Sequence, residues 1–238
     1  MLTWIIAATV AFFIKGLCGF ANTLVFNTIL TFGTDNIYVS PVELLLGYPT
    51  NLILAVKERR SIRKNLCIPL SILVLAGSIP GVFLLKNVDA TLIKIAFGII
   101  VTLISLEMLI REFTNTRSKG SKVLLIVIGI LSGILCGVYG IGALLGAYVS
   151  RITDDMGEFK ANLCVVFLVE NTFRILLYAW TGIFTLQAFK QFLILAPFML
   201  LGLLGGMLCG HFLNDRIVKR IAIVLLILSG IALIVNNL

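Results

Sequence analysis

The chain has 238 residues, of which 60% are hydrophobic and 13% are charged, with a net charge of +8. Its mean hydropathy is +1.11, which is too apolar for a soluble domain of this size. Apolar runs of about 18 or more residues, long enough to cross the hydrocarbon core of a bilayer, recur along the chain. These properties exclude a soluble globular protein and indicate an all-α polytopic membrane protein.

The basic residues lie in short loops between apolar runs, as in the strongly basic segment 57–64. Such clusters mark the cytoplasmic loops of membrane proteins, so we do not expect a nucleic-acid partner. We expect the protein to lie in the cytoplasmic (inner) membrane. The N-terminus has neither a basic region nor a cleavage site, so we interpret it as the first membrane segment. The five cysteines show no metal-ligand spacing, and neither a metal nor a cofactor is expected.

The apolar sequence divides into eight segments, with boundaries uncertain by several residues. The first and fifth are too long for one simple crossing, and both are interrupted by glycines. Glycine is unfavourable inside a helix because it loses more backbone freedom than other residues, so clustered glycines predict a local break. The predicted segments are 2–33, 40–56, 65–86, 90–110, 121–150, 159–180, 186–211 and 217–236.

The predicted breaks fall in 15–23 (KGLCGFANT) and 133–142 (GILCGVYGIG). A helix break at membrane depth leaves peptide groups that must face protein or a water-filled cavity. Interruptions at corresponding places in two halves of a chain indicate the substrate site of a transporter. The alternative is that these glycines only allow helices to pack closely.

The two halves resemble repeats. Cys18-Gly19 aligns with Cys136-Gly137, which places Asn22 opposite Gly140, and the glycines of 75–81 align with those of 200–206. The polar stretch between the halves predicts an N-terminal membrane repeat over 1–113, a cytoplasmic linker over 114–122 and a C-terminal membrane repeat over 123–238. The alternative is chance similarity between glycine-rich membrane helices.

Charge distribution favours inverted repeats. The loop 57–64 is strongly basic, whereas its counterpart around 181–185 has no charge. If the first and fifth segments are re-entrant hairpins, each half crosses three times and the halves point in opposite directions. Nearly all loop bases then lie on the cytoplasmic side, as the positive-inside rule prefers. If all eight segments cross, many bases of the second half lie outside.

In a re-entrant hairpin the returning arm begins inside the membrane with unpaired N–H groups, which together form an anion site. Asn22 and Thr23 occupy a helix-capping position in the first half. Two such tips would form a small, positively biased pocket. The predicted substrate-binding residues are Lys15, Gly19, Asn22, Thr23, Asn51, Gly137, Tyr139, Gly140, Gly142, Asn171 and Arg174.

Charged residues inside apolar segments support this prediction. Lys15, Glu170 and Arg174 lie well inside their segments, whereas Glu43 and Glu107 lie nearer segment ends, where they can snorkel. A charge at the bilayer centre costs at least about 2.5–3.5 kcal/mol, so it normally faces protein or water. The three internal charges carry a positive excess, which suits an anion, and Glu170 is the proton-coupling candidate. A purely structural Glu170–Arg174 pair is the alternative.

Each half also has a polar patch one segment after its glycine break. The sequence 48–51 (YPTN) interrupts the second segment, where Pro49 removes a backbone donor and predicts a kink. Asn171 lies in the matching region of the second half. Amide donors from Asn51 and Asn171 would complete the first shell of an anion, or alternatively form helix–helix hydrogen bonds.

The glycine patterns of 15–22, 133–142, 77–81 and 202–206, taken in order, resemble the sulfite exporter TauE/SafE family of membrane transporters. The resemblance implies export of small sulfur-containing anions such as sulfite, sulfoacetate or related organosulfonates, linked to the proton gradient. Ala21 and Asn22 stand where the family commonly has more glycine, which leaves the exact substrate open.

The leading hypothesis is therefore a secondary transporter that works by alternating access between its two repeats. An anion channel or a non-transporting membrane subunit would share the same residues. An intramembrane enzyme would need an acid–base or metal cluster, which His211 alone does not provide. The oligomeric state stays open, and a homo-oligomer is among the possible partners.

Overall fold

The computed structural model describes residues 1–30, 36–87, 95, 98–100, 102–103, 105–107, 109–110, 122–139, 142–153 and 155–235. These residues form helices and short connections, without a strand. The longer helices, numbered in chain order, are α1 (Leu2–Cys18), α2 (Asn22–Leu30), α3 (Asn36–Lys57), α4 (Lys64–Asn87), α5 (Lys122–Tyr139), α6 (Ala143–Ile152), α7 (Met156–Trp180), α8 (Leu186–Phe212) and α9 (Asp215–Val235).

Four stretches of the described helices are long and apolar enough to cross a membrane. They lie in α3, α4, α7 and α8, and α1 is a shorter apolar helix. The prediction of an all-α membrane protein is confirmed. The spanning stretches are Tyr38–Lys57, Lys64–Gly81, Met156–Trp180 and Leu186–Phe212.

Most predicted segments match these helices. The second, third, sixth, seventh and eighth segments each correspond to one helix, and the first and fifth each divide into two. The fourth segment, 90–110, is described only in part, and the linker, 114–122, lies outside the described residues except for Lys122, which begins α5.

The predicted interruption of the second segment is wrong, because α3 continues through Pro41 and Pro49. The hydroxyl of Thr50 donates a hydrogen bond to the carbonyl of Gly47 over 2.7 Å. Membrane helices tolerate proline where side chains and neighbouring helices receive the freed backbone groups. Helix α3 thus passes through Pro49 without ending.

The first segment does break, and its two arms form a hairpin. Between α1 and α2, Gly19 has φ 87° and Ala21 has φ 71°, both in the left-handed region. The rings of Trp4 and Phe26 then meet at 5.8 Å. A straight helix would separate these residues by about 33 Å. The chain therefore folds back at Gly19–Ala21.

The second hairpin can be traced from its neighbours. Helix α5 runs parallel to α4, since Gly77 packs against Gly133 and Gly81 against Gly137. The carbonyl of Ile152, the last residue of α6, lies 3.5 Å from the Arg63 guanidinium just before α4. Ile152 therefore lies at the end of the molecule where α4 and α5 both begin, so α6 runs back along α5.

Glycines set close contacts between helices of different halves. A Cβ atom at Gly206 of α8 would overlap the backbone of Phe13 in α1, and one at Gly133 of α5 would overlap the backbone of Val74 in α4. Such approaches require glycine. Gly137 belongs to this class, because it lies inside α5 and packs against α4. Its prediction as part of the break is wrong.

The central pair, α3 and α7, is antiparallel. The hydroxyls of Ser40 and Tyr178 are hydrogen-bonded at 3.0 Å near one end. The Thr172 hydroxyl donates to Tyr48 over 3.3 Å further along. Near the other end, Asn162 donates through its amide to the carbonyl of Ser61. As the residue numbers in and just after α3 increase, those of their contact partners in α7 decrease, so the two helices run in opposite directions.

Candidate functional site

The tip of the first hairpin meets the middle of α3 and α7 around a small cavity. The cavity has a volume of about 20 Å³. Residues from both halves of the chain line it: Lys15, Phe20, Ala21, Asn22, Thr23, Leu24, Glu43, Gly47, Asn51, Gly142, Phe167, Asn171 and Arg174.

The structure brings seven of the predicted site residues to the wall of this cavity: Lys15, Asn22, Thr23, Asn51, Gly142, Asn171 and Arg174. Gly19 forms the break itself but lies against the side chain of Lys160. Tyr139 is the last residue of α5. Gly140 lies outside the described residues. Glu170 is buried next to Arg174 without lining the cavity.

Arg174 of α7 connects the two halves. Its Nη1 donates a 2.6 Å hydrogen bond to the carbonyl of Cys136 in the last turn of α5. Its Nη2 lies 3.7 Å from Oε2 of Glu43, and its Nε lies 3.8 Å from Oε1 of Glu170. The side chain is almost fully buried, and Nε has no hydrogen-bond partner among the described residues. The guanidinium therefore retains a donor.

Among the polar and charged side chains that line the cavity, Glu43 is the one that the sequence did not predict. Glu43 is only 3% exposed, so the expectation that its side chain reaches water by snorkelling from near a segment end is wrong. Oε1 accepts hydrogen bonds from Nδ2 of Asn22 at 2.6 Å and from Oγ1 of Thr23 at 2.7 Å. Because α2 folds back, its first residues meet α3 at Glu43, about two turns after the N-terminal end of α3.

Lys15 and Asn51 add further polar groups at this depth. Lys15 is 1% exposed, and its Nζ lies 3.5 Å from the carbonyl of Gly47, at the outer limit of a hydrogen bond. Oδ1 of Asn51 and Oε1 of Glu170 have no hydrogen-bond partner among the described residues. Buried polar groups without partners are rare and indicate a place for a ligand, an ion or water.

The profile of the sulfite exporter TauE/SafE family matches residues 4–233 of this chain. The chain belongs to the TauE/SafE family. No curated protein and no solved structure matches it significantly. Family membership makes this TauE/SafE protein an exporter-type membrane transporter for sulfite or a similar anion, a class of proteins distinct from enzymes.

The charge of the TauE/SafE site differs from the sequence prediction. Lys15, Glu170 and Arg174 alone carry a positive excess, but the buried Glu43 adds a second carboxylate. Two cations then face two carboxylates when all four groups are ionised. The site is therefore balanced, and a positive excess arises only when a carboxylate is protonated.

The helix ends at the two tips are spaced differently from the motifs that align in the sequence. Cys18 and Tyr139 end the outgoing arms and lie 121 residues apart, as do Asn22 and Ala143, which begin the returning arms. The aligned motifs Cys18-Gly19 and Cys136-Gly137 lie 118 residues apart. The returning arm of the first hairpin thus begins with a polar residue and that of the second with an alanine.

Proposed function

We propose that this TauE/SafE protein exports a small sulfur-containing anion, namely sulfite, sulfoacetate or a related organosulfonate, across the cytoplasmic membrane in a proton-coupled cycle. The observation that carries the proposal is the meeting of Lys15, Arg174 and the Asn22 amide at a buried cavity beside a helix break. Proton coupling requires a titratable group at the same place, and Glu43 and Glu170 are both present.

The donors at the cavity suit an oxyanion. A guanidinium presents several N–H groups in one plane, which matches the oxygens of sulfonate, carboxylate or phosphate groups. The Asn51 and Asn171 amides line the cavity without adding charge. Asn22, Thr23 and Leu24, the first residues of α2, line the same cavity. The first N–H groups of a helix have no partner within the helix and carry the positive end of its dipole.

The size of the cavity favours a carrier over the alternative of an anion channel. A volume of about 20 Å³ holds about one water molecule. A channel requires a continuous path at its selectivity site, whereas a carrier exposes the site to each side in turn. Arg174 contacts the end of one hairpin and faces Glu43, which contacts the tip of the other, so relative movement of the halves would open the site.

We also propose that 1–113 and 123–238 are inverted repeats. Support comes from the antiparallel α3 and α7, which occupy equivalent places in the two halves. Each half's first helix packs on the other half's third long helix, α1 on α8 and α4 on α5. The basic loop 57–64 lies at the end of the molecule opposite 181–185, and we assign the basic end to the cytoplasm.

Cysteine labelling tests this orientation. Cys209 is exposed and is replaced by serine first, whereas the other four cysteines are buried and stay. Single cysteines are then introduced beside Gly182 and in place of Arg216. A membrane-impermeant thiol reagent added to intact cells should label the first and not the second. The opposite pattern would contradict the inverted arrangement.

Transport into proteoliposomes tests the function. Purified protein is reconstituted and offered sulfite, sulfoacetate and other organosulfonates, with and without an imposed pH gradient. We expect uptake of at least one of these anions to exceed that of empty liposomes and to respond to the gradient. Equal fluxes with and without protein for the whole panel would contradict the proposed function.

A further inference from the structure

The carboxylate of Glu43 already occupies an anion site. Its Oε1 accepts hydrogen bonds from Asn22 and Thr23 at the start of α2. Its Oε2 lies 3.7 Å from Nη2 of Arg174. Neutral donors at a helix N-terminus together with a guanidinium form the arrangement that proteins use to bind oxyanions. Here a side chain of the same chain supplies the anion.

We propose that Glu43 is a tethered anion that holds the subsite for the substrate's oxyanion group and vacates it by accepting a proton when substrate binds. The proposal rests on the proposed function and names the residue through which protons couple to transport. It reassigns the proton from Glu170 to Glu43. Glu43 is then a coupling residue in direct competition with the substrate.

Space makes the two anions competitors. The cavity beside Glu43 has a volume of about 20 Å³, room for about one water molecule. A sulfonate group, with three oxygens around sulfur, is larger than this. To reach Asn22, Thr23 and Arg174 it must take the place of the Glu43 carboxylate.

Charge explains why a proton accompanies the exchange. With all four groups ionised, Lys15 and Arg174 balance Glu43 and Glu170. A singly charged anion would leave the buried cluster with one uncompensated negative charge, which is strongly unfavourable away from water. When one proton converts Glu43 to its neutral acid, the cluster with its anion is balanced again. One proton is therefore taken up by the site for each singly charged anion that binds.

The surroundings of the two carboxyl groups favour Glu43 as the proton acceptor. Glu43 lines the cavity, whereas Glu170 does not. Glu170 lies one helical turn from Arg174, 3.8 Å away, and remains its counterion when Glu43 leaves. Helix α2 contributes neutral donors, Asn22 and Thr23. The charged or titratable groups around Glu43 from the packed helices are Lys15 of α1, Cys136 of α5, and Glu170, Arg174 and Tyr178 of α7.

Binding of methanesulfonate to the full-length protein in lipid nanodiscs tests the proposal. Methanesulfonate stays singly charged across the pH range used, so any pH dependence belongs to the protein. Calorimetric titration between about pH 5 and about pH 8, in buffers of different ionisation enthalpy, gives both affinity and proton uptake. We expect affinity to fall by up to about tenfold per pH unit at the alkaline side, with close to one proton taken up per anion.

An isosteric variant tests the role of Glu43. Glu43→Gln imitates the protonated acid and should bind methanesulfonate without proton uptake and without pH dependence. Glu170→Gln also removes one negative charge, so its cluster balances a singly charged anion with less proton uptake and does not tell the two carboxyl groups apart. Thr23→Val does so, because Thr23 donates its hydrogen bond to Glu43 and not to Glu170. Proton uptake that persists in Glu43→Gln would overturn the proposal while sulfonate binding, and with it the proposed function, stands.

A milder variant serves if Glu43→Gln does not fold. Thr23→Val removes a hydrogen bond that is made to the ionised Glu43 and should move the midpoint of the pH dependence to higher pH. Thr172→Val, on the exposed side of α7, is the control and should leave the midpoint unchanged. An unchanged midpoint in Thr23→Val would contradict the proposal.

If methanesulfonate, sulfite and sulfoacetate all fail to bind the wild type, the proposed function itself is wrong, and the proposal about Glu43 is wrong with it.

Discussion

The two hairpin tips perform similar structural tasks with different chemistry. The first tip presents the side chains of Asn22 and Thr23, which donate hydrogen bonds to Glu43. At the second, the carbonyl of Cys136, in the last turn before the tip, accepts a hydrogen bond from Arg174. The first hairpin therefore supplies donors for an anion, while the second fixes the position of the cation that faces that anion.

The scaffold beneath the tips is shared. Helix α1 packs on α8 through glycines, and α5 packs on α4 in the same way, with Gly206 and Gly133 in close backbone contact. The two hairpins thus share glycine packing of their outgoing helices and differ in the side chains at their tips. Substitutions at the tips should change anion binding, and substitutions at the packing glycines should change folding.

The largest effect is expected for Arg174→Ala, which removes the link between the tips. The variant leaves the buried Glu43 and Glu170 without their shared cation, and breaking a buried ion pair destabilises a protein by about 3–5 kcal/mol. We expect no measurable anion uptake into proteoliposomes and a lower melting temperature. Arg216→Ala, at an exposed position of α9, is the control. Wild-type uptake by Arg174→Ala would remove this residue from the site.

Lys15→Met should weaken transport next most strongly. The change keeps an unbranched side chain but removes a buried cation from the outgoing arm of the first hairpin. Hydrogen bonds that involve a charged group contribute about 1.5–3 kcal/mol, which corresponds to about a 10- to 100-fold change in affinity. Uptake as a function of substrate concentration measures the change. Lys190→Met, at an exposed position of α8, should behave as the wild type, and equal behaviour of both variants would refute the role of Lys15.

A comparison of Asn22→Ala with Gly142→Ala distinguishes the roles of the two hairpin tips. Asn22→Ala removes a donor for the anion and a hydrogen bond to the buried Glu43, so affinity should fall by about tenfold with only a modest fall in melting temperature. Gly142→Ala places a methyl group against the ring of Phe167, so it should lower the melting temperature as well as uptake. If both variants show the same balance of stability and uptake, the assignment of donors to the first tip is wrong.

The smallest effect is expected for Ala21→Gly. Ala21 has φ 71°, a conformation that costs an L-residue roughly 1–2 kcal/mol and glycine nothing, although glycine loses about 1 kcal/mol more entropy on folding. The melting temperature should therefore stay equal or rise slightly. Ala21→Val, with a branched side chain in the same conformation, should lower it clearly. A lower melting temperature for glycine than for valine would show that the left-handed turn is absent.

Much of the fold follows from the sequence because membrane helices carry their own signals. The seventh segment was predicted at 186–211 and is observed at Leu186–Phe212, where the hydroxyl of Thr185 caps the first turn by accepting from Ala188 N–H. The buried charges Lys15 and Arg174 were also predicted to converge. A charge in an apolar run requires protein or water around it, and few places in the fold provide them.

The rest depends on contacts that a linear reading does not contain. Glu43 was assigned to a segment end because its partners, Asn22 and Thr23, reach it only after the first segment folds back. A signal was present: Glu43, Gly47 and Asn51 are spaced by four and share one face of α3. The role of Gly137 was misassigned because a break glycine and a packing glycine look alike until the facing helix, here α4, is known.

The most direct test of the central claim is a crystal structure of the protein soaked with selenite, an oxyanion analogue of sulfite whose selenium gives an anomalous signal. The account predicts an anomalous peak at the cavity, within hydrogen-bond distance of Arg174 and Asn22, with the Glu43 carboxylate moved away from Thr23. A protein that transports selenite but shows its peak elsewhere, with Glu43 still bound to Asn22 and Thr23, would contradict it.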